Sequence, residues 1–238
     1  MKKFIKYILI CILAFLLLFI INRLYTTNIM YKTYKTMLSK ANEDNFYSKI
    51  TTTNQTVTSN LETWIKNGIY KKVVTHETED NVKRSLTFWE HNKSPNEKNK
   101  FYLIIKVDDK IVHVEEKDVD YQVEPNNKWY KYNYAQSLVV GDGKLIYLED
   151  EKEYSFLDIF VNNLKNLRTN ASIISDKDNC YKLLYSGAYI YINKDTNLPI
   201  ISIAPDNTGI TTYEYFTKDV TDEDLKEPDI SEYTIQEN

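Results

Sequence analysis

Residues 61–76 read LETWIKNGIYKKVVTH, two runs rich in β-branched and aromatic residues joined by Asn67-Gly68. An Asn-Gly step suits the two left-handed positions of a tight hairpin turn, so the stretch predicts a pair of antiparallel strands. Short-period segments continue on both sides. FYSKITTTNQTVT (46–58) is rich in threonine, and RSLTFWEH (84–91) reads as a further strand, followed by a polar loop, NKSPNEKNK. FYLIIKVDDKIVHVEE (101–116) predicts two strands about Asp108-Asp109, and KWYKYNY (128–134) sets Tyr130, Tyr132 and Tyr134 on one face of a strand. Strands resume in NCYKLLYS, AYIYINK, LPIISIAP and ITTYEYFTK, with Gly187 and DNTG (206–209) as turns.

One segment breaks the pattern. EYSFLDIFVNNLKNLR (153–168) places Phe156, Phe160, Leu164 and Leu167 at helical spacing, with Leu157 and Val161 beside them. Ser155 followed three residues later by Asp158 is a capping signal, so a helix is predicted over 156–168, with a wide apolar stripe that has to cover something. The tail DVTDEDLKEPDISEYTIQEN (219–238) is acidic and aperiodic and predicts an extended finish over the surface. The fold class expected is mainly β with few helices (α+β): nine to eleven short strands and one or two helices. The strands either close into a barrel or form a curved open sheet folded over the helix.

Ahead of this domain lies YILICILAFLLLFIIN (7–22), without a charge, extended by Phe4 and Ile5 if Lys6 reaches toward lipid headgroups. At about 1.5 Å per residue such a run approaches the thickness of a bilayer core. No small-x-small step follows it, as a cleaved export signal requires, so Phe4, Tyr7, Leu9, Leu13, Phe15, Leu17, Phe19 and Ile21 are read as the lipid-facing part of a retained anchor. Lysines 2, 3 and 6 on one side face Arg23, Lys32, Lys35 and Lys40 on the other, so charge alone leaves the orientation open. Long domains cross largely regardless of charge, which places the bulk of the chain outside the cytoplasm. The expected organisation is an anchor over 1–24, a helical stalk or first helix over 25–44, and an extracytoplasmic β domain over 45–238.

Composition narrows the function classes. A net charge of -4 with no basic patch excludes nucleic acid as an expected partner, and 13% aromatic residues argue against disorder. Cys180 is the one cysteine outside the apolar run, so no disulfide is expected within the outer domain, and its setting reads as a small buried hydrophobe. His76, His91 and His113 stand singly, and no nucleophile elbow, phosphate loop or metal-binding helix motif occurs, so neither an enzyme nor a cofactor is expected. Glu115, Glu116, Asp118, Asp120 and Glu124 form an acidic run without the glycine-centred loop of a calcium site and read as a solvated edge. The tyrosines recur at every second or fourth position, as in Tyr181 and Tyr185, Tyr189 and Tyr191, and Tyr213 and Tyr215. They serve either as cross-strand packing or as part of a groove for an amphiphile.

The late stretch YIYINKDTNLPIISIAPDNTGITTYEYF, with Asp195, Leu198 and Pro199 before the 206–209 turn, resembles the late strands of LolA-like lipoprotein carriers. TDEDLKEPDIS near the end and LETWIKNGIYKKVV near the beginning are similar to that family's closing segment and early hairpin. The resemblance spans most of 45–233 and implies a lipoprotein-sorting-like domain, here of a Gram-positive-type bacterium. It also implies a half-open antiparallel barrel around helices, with an apolar cavity for acyl chains and the 156–167 helix as a plug. Arg84 lies on an early strand, as a family arginine does, but the local motif does not fix the correspondence. Under this reading Tyr130, Tyr132, Tyr134, Phe156, Phe160, Tyr189, Tyr191, Tyr213 and Tyr215 line the cavity, and the ligand is a lipid or lipidated polypeptide. The alternative is an envelope sensor or scaffold that binds a protein partner through the same fold, distinguished by a filled interior and an exposed apolar patch. A carrier shuttles, whereas an anchored chain stays at its membrane.

Overall fold

The computed structural model describes residues 2–41, 45–67, 69–80, 82–91, 99–119, 153–165, 170–185, 187–204, 208–215 and 218–230. Two helices and eleven strands occur among them: α1 (Lys2–Ala41), β1 (Phe46–Asn54), β2 (Val57–Lys66), β3 (Ile69–Thr78), β4 (Lys83–His91), β5 (Asn99–Val107), β6 (Lys110–Val119), α2 (Phe156–Lys165), β7 (Asn170–Ser172), β8 (Cys180–Tyr185), β9 (Ala188–Asn193), β10 (Pro199–Ile203) and β11 (Gly209–Tyr215). The chain forms two compact units, one of residues 1–36 and 136–199, the other of residues 37–135 and 200–238.

In the first unit α1 dominates. At 40 residues it extends about 60 Å, twice what a bilayer core needs. Its apolar part is long enough to cross a membrane, with mean hydropathy 3.0 and none of that window buried against the described residues. From Asn22 onward the same helix turns inward-facing side chains to its unit, and Arg23, Thr26, Thr27, Ile29, Met30, Thr33 and Tyr34 are buried. The segments expected as anchor and stalk are therefore one uninterrupted helix through Ala41. Strands β7, β8 and β9 form an antiparallel ladder in this unit, with Ala171 opposite Leu183 and Lys182 opposite Tyr191.

The helix predicted from Phe156 is present as α2. Ser155 N donates to Asp158 Oδ2 at 2.9 Å while Asp158 N donates back to Ser155 Oγ at 3.2 Å, so each end of the box satisfies an otherwise unpaired backbone N–H at the start of the helix. Residues 166–168 of the expected span lie outside the described residues.

In the second unit the strands run in the order β6-β5-β4-β3-β2-β1-β11-β10, all antiparallel. The hairpin at Asn67 and the one at Asp108-Asp109 form where expected, with φ of 51°, 47° and 62° in the left-handed region that Asn and Asp tolerate. Alternation gives the sheet two unlike faces. One carries the cluster Phe46, Ile65 and Tyr70; the other carries Tyr47, Trp64, Ile69 and Val73 packed with Val220 and Leu225 of the tail.

That last contact amends the reading of the tail as a surface finish. Val220 and Leu225 are buried at 2% and 3% exposure and join the core, while the residues around them stay at the surface. Thr221 and Asp224 repeat the capping-box arrangement of α2, with Thr221 Oγ1 donating to Asp224 Oδ2 at 2.7 Å and Asp224 N donating to Thr221 Oγ1 at 3.3 Å. The resulting turn aims both apolar side chains at the sheet.

Candidate functional site

Two surfaces gather aromatic and polar side chains, one in each unit. In the second unit, register aligns Tyr47, Trp64, Lys71, Trp89, Tyr102 and Glu116 in one row across β1 to β6. Tyr47 and Trp64 have ring centroids 5.7 Å apart, Trp89 and Tyr102 5.5 Å. Lys71 lies over Trp64 at 5.2 Å and Lys218 over Tyr47 at 4.5 Å. Such an aromatic and cationic row would suit a ligand, but the tail occupies it. Lys66 Nζ donates to Val220 O at 3.0 Å, Lys71 Nζ to Asp224 O at 2.7 Å, and Trp89 Nε1 to Leu225 O at 2.9 Å. At the far end Tyr102 OH donates to Glu227 Oε1 at 2.6 Å, and Lys100 Nζ sits 2.9 Å from the same oxygen. The contacts of the tail thus run from Lys66 on β2 to Tyr102 on β5, strands that lie roughly 14 Å apart at about 4.8 Å per step. The tail is a strap laid perpendicular to the strands.

Electrostatics follow from the strap. Backbone and hydroxyl bonds from Thr221, with Lys218 nearby, hold the Asp224 carboxyl down at about 2. Burial pushes Lys71 below the usual ammonium range, against the pull of Asp224, and pushes the Tyr47 and Tyr102 phenols up, so both phenols stay protonated as donors. On the opposite face Glu90 is buried with Oε1 unpartnered, and burial raises its pKa.

In the first unit a polar seam joins α1 to its partners. Asn22 Nδ2 donates to Ala171 O at 2.9 Å, and Ala171 N donates to Thr26 Oγ1 at 3.0 Å. One turn further, Asn163 Nδ2 of α2 donates to Thr27 Oγ1 at 3.1 Å, and Tyr154 N donates to Tyr34 OH at 3.1 Å. β7 is the outermost strand of its ladder, and α1 side chains satisfy the backbone groups that such an edge would leave unpaired. Tyr25 meets Tyr181 edge-on at 6.3 Å, and Tyr31 meets Phe156 at 5.7 Å.

Between α1 and the strands, Met30, Thr33, Leu183, Tyr185, Ile190 and Ile192 enclose a cavity of about 20 Å³. That volume holds about one water molecule and is far below the several hundred Å³ of an ordinary ligand pocket. Apolar surface lies instead on the outside of α2, where Leu157, Val161 and Leu164 are exposed along one stripe.

The structure separates the residues grouped from the sequence. Phe156 and Phe160 are half-buried on α2, Phe156 against Tyr31. Tyr189 and Tyr191 share a face with Lys182 and Leu184, opposite to the Leu183 and Ile190 face that borders the cavity. Lys182 lies over Tyr189 at 4.6 Å, and Tyr191 OH donates to Asp176 at 2.9 Å. Tyr213 and Tyr215 belong to the other unit and stack at 6.0 Å. Tyr130, Tyr132 and Tyr134 lie outside the described residues, as do Asp120 and Glu124. Cys180 is buried, and desolvation raises its thiol pKa. His76 shares a 2.7 Å hydrogen bond with Ser59, and among the described residues no group of three or more His, Cys, Asp or Glu side chains gathers to hold a metal. Sequence reasoning missed the strap and the seam. T-x-x-D at 221–224 was the available signal for the first; Asn22, Thr26 and Thr27 on a helix gave none for the second.

Comparison with protein-family models and with curated proteins finds no match for this chain.

Proposed function

We propose that this chain is a membrane-tethered, extracytoplasmic, non-enzymatic domain that acts as an envelope sensor or scaffold and binds a protein partner. The observation that carries it is the contrast on the first unit. Among its described residues, the cavity between α1 and the strands fits about one water molecule, while Leu157 is 66% exposed and stands in line with Val161 and Leu164. A contiguous apolar stripe left in water on a folded helix marks an interaction surface. The helix through the membrane keeps the domain at one bilayer, which suits a fixed receiver better than a shuttle.

A second reading, a LolA-like half-barrel that holds a lipid or lipidated polypeptide, draws on the course of α2. Tyr154 meets Tyr34, Phe156 meets Tyr31 and Asn163 meets Thr27, so α2 descends antiparallel to α1 toward the membrane end. An acyl chain rising from the bilayer would reach its apolar stripe. A photocrosslinker at Val161 in the full-length membrane-bound chain separates the readings. The scaffold reading expects a discrete protein adduct that Leu157→Asp abolishes; a lipid adduct without protein supports the carrier reading, and no adduct of either kind counts against both.

A further inference from the structure

We propose that the loop after β7 inserts Ile173 and Ile174 into the outer leaflet of the same bilayer that α1 crosses, giving the first unit a second membrane contact. The proposal rests on the reading of α1 as a membrane helix. Ile173 and Ile174 are the most exposed large apolar residues among those described, at 87% and 83%. The direction of β7 is fixed by its bonds to α1. Ala171 N–H meets Thr26, further along the helix from the membrane, and Ala171 C=O meets Asn22, at the exit from the apolar run. A residue's N–H precedes its C=O along the chain, so β7 runs toward the membrane. The two isoleucines follow Ser172 at that end of the strand, where the chain bends before returning as β8.

The returning limb agrees with this placement. β8 begins at Cys180, and Tyr181 meets Tyr25 edge-on, which puts two phenol rings at the height where an aromatic belt lies. The same end carries the β9–β10 turn, since Lys194 N donates to Asn179 O at 2.9 Å and Lys194 lies over Tyr181 at 5.4 Å. Charges there are mixed: Lys177 and Lys194 stand with Asp176, Asp178 and Asp195. Recognition is therefore by burial of the isoleucines rather than by attraction to anionic headgroups, and a zwitterionic bilayer suffices.

The test uses the full chain carrying Cys11→Ser and Cys180→Ala in phosphatidylcholine nanodiscs, with single cysteines at Ile174, Phe15 and Glu153 labelled by an environment-sensitive fluorophore. Glu153 pairs with Lys35 on the distal side of the unit and serves as the aqueous reference. The expected result is a blue-shifted emission and strong quenching by spin-labelled phospholipid at 174 and 15, with neither at 153. Quenching at 15 but a spectrum at 174 like that at 153 overturns the insertion while leaving the anchor intact. A water-like spectrum at 15 overturns the membrane reading itself, and the insertion with it.

Discussion

Replacing Thr26 by valine removes one hydroxyl and keeps the side-chain shape. That hydroxyl is fully buried and does two things: it donates to Asn22 O at 2.8 Å and accepts from Ala171 N at 3.0 Å. The Asn22 carbonyl keeps its place in the helix ladder, but the buried Ala171 N–H loses its partner. A buried donor left unsatisfied costs about 1–3 kcal/mol. Thr26→Ser keeps the hydroxyl and loses only a methyl group, at about 1 kcal/mol. Hydrogen exchange of the 170–175 segment in the nanodisc-embedded full chain reads the difference directly. Thr26→Val is expected to speed exchange at Ala171 by roughly ten- to a hundredfold, with the serine variant close to wild type. Equal exchange in the two variants would refute the assignment of α1 as the cover of this sheet edge.

Leu225→Ala should destabilise by about 2–3 kcal/mol, as for other buried leucines, and redden the emission of Trp64 and Trp89, which the strap covers; an unchanged urea midpoint would show the tail to be dispensable. Asp224, held at about 2 against an ordinary 3.8, contributes on the order of 2 kcal/mol that is fully present above about pH 4 and is lost as pH falls through 2. Asp224→Asn should therefore lower stability at pH 7 and match wild type near pH 1, as thermal melts across that range will show. Glu90 has the opposite sign, because burial raises its pKa and its charged form weakens the fold once pH rises past the unfolded value. Glu90→Gln should stabilise the protein at pH 7 and make no difference at pH 3; a loss of stability at pH 7 would mean that the carboxylate has a partner.

Local chemistry was the legible part of this chain. Asn67-Gly68 and Asp108-Asp109 announce turns because only residues tolerant of positive φ close a two-residue hairpin, and Ser155 with Asp158 announces a helix because the first turn needs acceptors. The sites were less legible, for physical reasons. Alternation shows that Tyr189 and Tyr191 share a face but not which face meets α1, and only the register with Lys182 and Leu183 decides it. Likewise, an Asn or Thr on a helix is more often solvated than buried, so Asn22, Thr26 and Thr27 gave no sign of their partners at Ala171 and Asn163. Val220 and Leu225 are two apolar residues in an acidic tail, too few for a period, and become core only because the sheet presents an aromatic row to them. Placement of the aromatic row followed from strand register; its occupancy depended on residues more than a hundred positions away.

The central claim is that one helix runs from the bilayer into the folded domain and stays attached to it. Intact-mass measurement of the protein extracted from cell membranes, with its amino terminus sequenced, tests this most directly. Retention of Phe4 to Ile21 in a chain that resists carbonate extraction is the predicted result. A product found free of the membrane, with a new amino terminus beyond Ile21, would contradict it.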